Sequence, residues 1–219
     1  MNRKIWKALG IAVCMLALAA PRAMAKTHWV GSDADFKKAV EEINKLGDAK
    51  NEIILTESFT LKGNTTDYTL TNGKETTIQG EGYTISIEGS NAGITVAKEG
   101  TVLNLGANGY DGTLTIDGKT SGGSASGNAK NAFVSVLEGA TANMYGNVTL
   151  QNGMFGGNAC VVIMGSKSVT GPNSAFNMDG GVIEKCSRAV IAQSGATFNM
   201  SGGEIRNCGG GRGSGNGGG

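Results

Sequence analysis

The sequence predicts an all-β solenoid, a stack of coils with three short strands each, closed at its N-terminal end by one α-helix. Three observations carry this. The segment Ser174 to Cys186 (SAFNMDGGVIEKC) recurs as Ala196 to Cys208 (ATFNMSGGEIRNC) at an offset of 22, with seven of thirteen positions identical, and self-similarity at such a period marks stacked repeats. The core of that segment, apolar-Asn-apolar, recurs with drift at Leu103-Asn104-Leu105 and Ala142-Asn143-Met144. Ahead of all the copies stands an amphipathic pattern of helical spacing, Phe36, Val40, Ile43 and Leu46.

Taken in chain order, residues 1–25 read as a secretory signal peptide. Arg3, Lys4 and Lys7 precede an apolar stretch from Ala8 to Ala20, and Ala23-Met24-Ala25 gives the small-x-small cleavage pattern. The apolar run is too short to span a bilayer, Pro21 follows it, and no later stretch has span length. Cys14 lies inside the run without a cleavage pattern of its own, which argues against a lipid-anchored cysteine. An extracellular or cell-surface location is therefore expected, with no membrane span after signal removal.

Residues 26–50 form the expected capping segment. Ser32 to Asp35 offers a capping box ahead of the amphipathic stretch, and a helix here would cover the open apolar end of the solenoid. Such caps are required because a bare end exposes both core side chains and unpaired strand edges.

Residues 51–208 hold the coils. Ile53-Ile54-Leu55 and Phe59-Thr60-Leu61 read as the first strands, and Ile85 with Ile87 as an early rung. Each apolar-Asn-apolar strand is followed, after a glycine, by a second: Leu114 to Ile116, Val148 to Leu150, Val182-Ile183 and Glu204-Ile205. A third lies before the next copy, at Ile94 to Val96, Phe133 to Val136, Cys160 to Val162 and Ala189 to Ile191. Period-2 alternation turns Leu103, Leu105, Ala142, Met144, Phe176, Met178, Phe198 and Met200 inward and the asparagines outward. The repeat spacing from Leu105 to Met144, Met178 and Met200 is 39, 34 and 22 residues. The excess falls in the polar loops Asp117–Lys130 and Gly165–Asn173, which a solenoid tolerates because each coil touches only its neighbours. Residues 209–219 are glycine-rich and are either a flexible tail or the point where a longer β-helix is cut.

Composition removes several classes. Signal cleavage takes away four basic residues, leaving 15 against 18 acidic ones, a net charge of −3. With no basic cluster and few aromatics, nucleic-acid binding is not expected. The 37 glycines lack a three-residue period, which excludes collagen. Three cysteines remain, Cys160, Cys186 and Cys208, and an odd number does not read as a disulfide framework. They are expected to be free, buried thiols. Cys186 and Cys208 share one register, but neighbours on parallel strands point the same way.

The succession of Phe-x-Met-x-Gly-Gly-x-Ile-x-x-Cys repeats after a helix and an Ile-Ile-Leu strand resembles the right-handed parallel β-helix proteins of the pectate-lyase-like superfamily, and most their non-enzymatic bacterial surface members. The resemblance covers residues 28–210 as architecture and is sharp over 174–208. It implies three long parallel sheets and a loop side that forms the carbohydrate or receptor surface.

Chemistry is sparse. A hydrolase would need carboxylates paired across the sugar bond, and the family's Gly-His-Gly and Arg-x-Lys motifs are missing. The single histidine, His28, lies beside the signal cleavage site. Arg188 and Arg206 lack a clustered acidic partner in the sequence. Gly106 to Leu114 approaches a calcium-binding nonapeptide, but one copy reads as a polar turn. No catalytic residue, metal site or cofactor is expected. The candidate binding residues are Asn104, Asn143, Asn177 and Asn199, which either offer amides to sugar hydroxyls or bond to one another and brace the sheet.

The expected function is a secreted or cell-surface β-helix with a structural, adhesive or glycan-binding role, its partners surface glycans or host or matrix proteins. The alternatives are the N-terminal part of a β-helix polysaccharide lyase or glycoside hydrolase, or of an autotransporter passenger. An open C-terminal end would pair with further coils or with another chain.

Overall fold

The structure is a computed structural model and describes residues 25–46, 50–72, 74–87, 93–118, 132–153, 159–164 and 173–209. The signal peptide with Cys14, most of the two polar loops and the glycine-rich residues 210–219 lie outside the described residues.

The described chain is mainly β, with one α-helix and three parallel sheets. The first sheet has seven strands: β1 (Lys26–Val30), β2 (Asn51–Leu55), β5 (Glu75–Gln79), β8 (Val102–Leu105), β11 (Thr141–Met144), β14 (Ala175–Met178) and β17 (Thr197–Met200). The second has six: β3 (Phe59–Leu61), β6 (Thr84–Ile87), β9 (Leu114–Asp117), β12 (Val148–Gln151), β15 (Val182–Glu184) and β18 (Glu204–Arg206). The third has five: β4 (Thr69–Leu70), β7 (Ile94–Val96), β10 (Val134–Val136), β13 (Ala159–Met164) and β16 (Arg188–Gln193). From β2 onward the chain visits the sheets in fixed rotation, so each strand pairs with the one three places along. That is the three-strand coil the repeat predicts, in a solenoid-like stack.

Registers follow the repeat. Asn104 pairs with Asn143, Asn143 with Asn177 and Asn177 with Asn199, across spacings of 39, 34 and 22 residues. The inserted loops therefore leave the ladder undisturbed. Leu103, Leu105, Ala142, Met144, Phe176 and Met178 are fully buried, as period-2 alternation over one core requires. The paired glycines of the motif are sterically fixed. Gly181 and Gly203 have φ of 81° and 84°, and a Cβ on either would stand 2.5 or 2.6 Å from a carbonyl oxygen of the coil below.

The helix α1 (Asp33–Leu46) buries Phe36, Ala39, Val40 and Ile43. Its start is the expected cap: Asp35 N donates to Ser32 Oγ at 3.2 Å, and Ser32 Oγ donates to Asp35 Oδ2 at 2.7 Å. The ring of Phe36 lies 6.0 Å from that of Phe59 and 5.9 Å from that of Tyr68, so the helix plugs the first coil. Tyr68 ends a short 3₁₀ turn (Thr65–Tyr68), and its hydroxyl donates to Asp33 Oδ1 at 2.5 Å. Burial, reinforced by Asp33, pushes its phenol up to about 12.

Four expectations are corrected. The strand order begins with β1, before the helix, and β1 pairs in parallel with β2. Leu46 is 56% exposed because it is the last helical residue and overhangs the core. Phe198 and Met200 are in core register but not enclosed, because among the described residues no strand stacks beyond β17. The thiols are not all free: Cys160 is bonded to Cys186, with Cα atoms 6.2 Å apart, and only Cys208 among the described cysteines is a thiol. The partners sit at different places in their coils, Cys160 on β13 and Cys186 at the corner between β15 and β16. Their side chains thus converge rather than point the same way. Gly153, one coil below Cys186, makes room: a Cβ there would stand 3.3 Å from both sulfurs.

Candidate functional site: an outward row of asparagines

The four candidate asparagines occupy the same place on β8, β11, β14 and β17, on the outer side of the first sheet. Asn143 Nδ2 donates to Asn104 Oδ1 at 2.8 Å, Asn177 to Asn143 at 2.8 Å and Asn199 to Asn177 at 2.9 Å. The structure brings all four together. Asn104 is enclosed, at 8% exposure, whereas Asn143 and Asn177 are half-buried and Asn199 is exposed.

The row has a direction, and its base sets it. Asn104 Nδ2 donates to Glu75 Oε1 at 3.2 Å and Thr77 Oγ1 at 3.3 Å. An ionised carboxylate only accepts, and Glu75 is also paired with Lys50 at 3.3 Å. The Asn104 amide must therefore turn its nitrogen toward Glu75 and its oxygen toward Asn143, and each later amide inherits that orientation. An amide has two N–H groups and two lone pairs. The row uses one of each at Asn143 and Asn177, so these two rungs each keep one donor and one acceptor for another group.

Thr77 and Glu52 lie in the same register below Asn104, and Thr27 below Glu52, with Thr27 Oγ1 donating to Glu52 Oε2 at 3.4 Å. Sequence reasoning missed these residues. On β5, which holds Thr77, the inward place that Leu103 fills on β8 carries Thr76, not an apolar residue, so the apolar-Asn-apolar signature fails there.

The other chemistry-bearing groups resolve into ion pairs. Arg206, expected to stand without an acidic partner, has two: its Nε lies 2.7 Å from Glu184 Oε2 and its Nη1 3.0 Å from Glu204 Oε2. The reason is the offset of 22, which puts Arg206 directly above Glu184. The Arg206 guanidinium holds the Glu184 carboxyl below the usual range. Below them Asp117 accepts from Gln151 at 2.9 Å and from Asn152 at 3.0 Å, so this second outer column is also hydrogen-bonded along the stack. His28 is buried on β1, its Nδ1 3.7 Å from Glu42 Oε2, in a shallow depression bordered by Trp29, Asp35, Lys38 and Ala39. The Lys26 ammonium, 3.1 Å away, draws the Glu42 carboxyl below its ordinary value. Gly106 to Leu114 is a turn, with Gly106 and Gly109 at positive φ.

Among the described residues no group of three or more His, Cys, Asp or Glu is placed to hold a metal ion, and no helix is long and apolar enough to cross a membrane. Comparison with protein-family models, with curated proteins and with solved structures found no match to this chain.

Proposed function

We propose that this chain is an exported right-handed parallel β-helix of the pectate-lyase-like kind, acting outside the cell as a structural segment that holds linear glycans. The observation that supports it is the straight row of amides on the outer side of the seven-stranded sheet. The row braces the stack by hydrogen bonds between its own members, and at Asn143 and Asn177 it still presents one N–H and one lone pair per rung. Rungs recur at the strand spacing, about 4.8 Å, so the free groups form a regular line along which a polymer of sugar hydroxyls can lie. Arg206 and Lys185 with Glu184 and Glu204 form a charge-balanced cluster in this reading and take no part in bond cleavage.

The test is binding of the secreted chain to a panel of soluble polysaccharides, followed by affinity electrophoresis, for the parent and for Asn143→Ala with Asn177→Ala. Retardation of the parent on at least one polysaccharide, lost in the double variant while its unfolding midpoint shifts only modestly, is the expected result. A parent that binds none of them, or a double variant that binds equally well, contradicts the glycan-holding role. Release of shortened sugars during the assay would instead favour the enzymatic alternative.

A further inference from the structure

The last described coil repeats the side chains of the one before it but not their burial. Phe176, Met178 and Ile183 are fully buried, whereas Met200 is 46% and Ile205 36% exposed, and Phe198 is only partly covered. Among the described residues β16, β17 and β18 each have a neighbour on one side only. In a parallel ladder alternate residues bond to opposite sides. Thr197 and Ser201 donate backward to Ser174 and Met178, so the N–H groups of Phe198 and Met200 face the open edge. At the same edge the amide row ends on Asn199 Oδ1, to which no described residue donates.

We propose that the face formed by β16, β17 and β18 is a coil–coil interface, and that its occupant is one more three-strand coil of the same repeat, running parallel, with a side-chain N–H donor in register with Asn199. The face continues an interface made one coil earlier by two like pairs, Phe176 on Phe198 with ring centroids 6.0 Å apart and Ile183 on Ile205 in register. The direction of the amide row, fixed at Glu75, selects a donor and rejects an acceptor at the next rung.

A second copy of this chain fits less well in either orientation. Head to tail, its first coil is already plugged by Phe36 and α1. End to end about a two-fold axis, the strands would meet antiparallel and Asn199 Oδ1 would face its own equivalent, acceptor against acceptor.

The experiment compares three proteins: the full chain, the chain with residues 187–208 repeated once directly after Cys208, and that extended chain with aspartate for the asparagine of the added coil. Hydrogen exchange is read at the backbone N–H groups of Phe198 and Met200, with β8 and β11 as folding controls. Slowing by at least about tenfold in the extended chain, and by less in the aspartate version, is expected, since a paired edge opens only with its coil. Unchanged exchange at Phe198 and Met200 with β8 and β11 protected overturns the proposal. So does loss of protection throughout, because a matching coil can only add neighbours. Light scattering on the full chain supplies the remaining outcome: a dimer dissolved by Ile205→Lys would make a second copy the occupant and overturn the choice made here.

Discussion

The two ends of the stack use similar residues to opposite effect. At the N-terminal end Phe36, Val40 and Ile43 of α1 close the first coil, and Leu55, Leu61, Tyr68 and Leu70 beneath them are fully buried. At the C-terminal end Phe198, Met200 and Ile205 occupy the same registers as buried residues one coil earlier, yet stand open. Burial in a solenoid is thus given by the neighbouring coil and not by residue type. The pattern of a single coil shows which side chains point to the axis, and only the next coil decides whether they are core.

That contrast can be broken by mutation, and charge burial tests it most severely. Met178→Asp puts a carboxylate between two coils and is expected to cost about 3–5 kcal/mol, whereas Met200→Asp, free to hydrate, should stay within about 1 kcal/mol. Urea unfolding of the two variants measures the difference, and equal losses would erase the distinction between inner and outer coils. At the other end Phe36→Ala removes the plug and is expected to cost about 3–5 kcal/mol, against roughly 1 kcal/mol for Phe198→Ala, which lacks a second neighbour.

Reduction of the Cys160–Cys186 bond releases a loop closed over 26 residues and is expected to lower stability by about 2–4 kcal/mol. Cys208→Ser should leave the response to reductant unchanged. The capped end also carries a pH signature. With the Tyr68 phenol raised to about 12 from an ordinary 10, the unfolded chain loses this proton first as the pH rises. Stability is then fully present below pH 10 and falls between pH 10 and 12, by roughly 2–3 kcal/mol. Tyr68→Phe should remove most of that slope in alkaline denaturation. The smallest contrast lies in the amide row, where Asn143→Asp sets acceptor against acceptor between two coils and is expected to cost about 1–3 kcal/mol, and the exposed Asn199→Asp under about 1 kcal/mol.

Much of this organisation was legible in the sequence, and what was missed has physical reasons. β8, β11, β14 and β17 could be read because Leu, Ala, Met or Phe flank each asparagine, and their register followed from aligning those asparagines alone. β5 could not, because Thr76 is buried in a place the pattern reserves for an apolar group. β1 could not either: its five residues include His28 and the 67% exposed Trp29, and its strand state depends on pairing with β2 across the helix. The helix was readable to within its last residue, where spacing alone does not reveal that Leu46 overhangs. The disulfide was hidden because it joins a strand to the corner of the following coil, and residues of unlike repeat position are not compared when repeats are aligned. The four asparagines were found, but the direction of their hydrogen bonds was not, since it is set by Glu75 at a rung outside the repeat.

Site-resolved hydrogen exchange of the full chain tests the central claim most directly, because it reads the number of flanking coils strand by strand. Slow exchange from β5 through β14, falling off across β16, β17 and β18, is the expected result. Protection at Phe198, Met200 and Ile205 equal to that at Phe176, Met178 and Ile183 would contradict it, because burial would then not depend on the presence of a next coil.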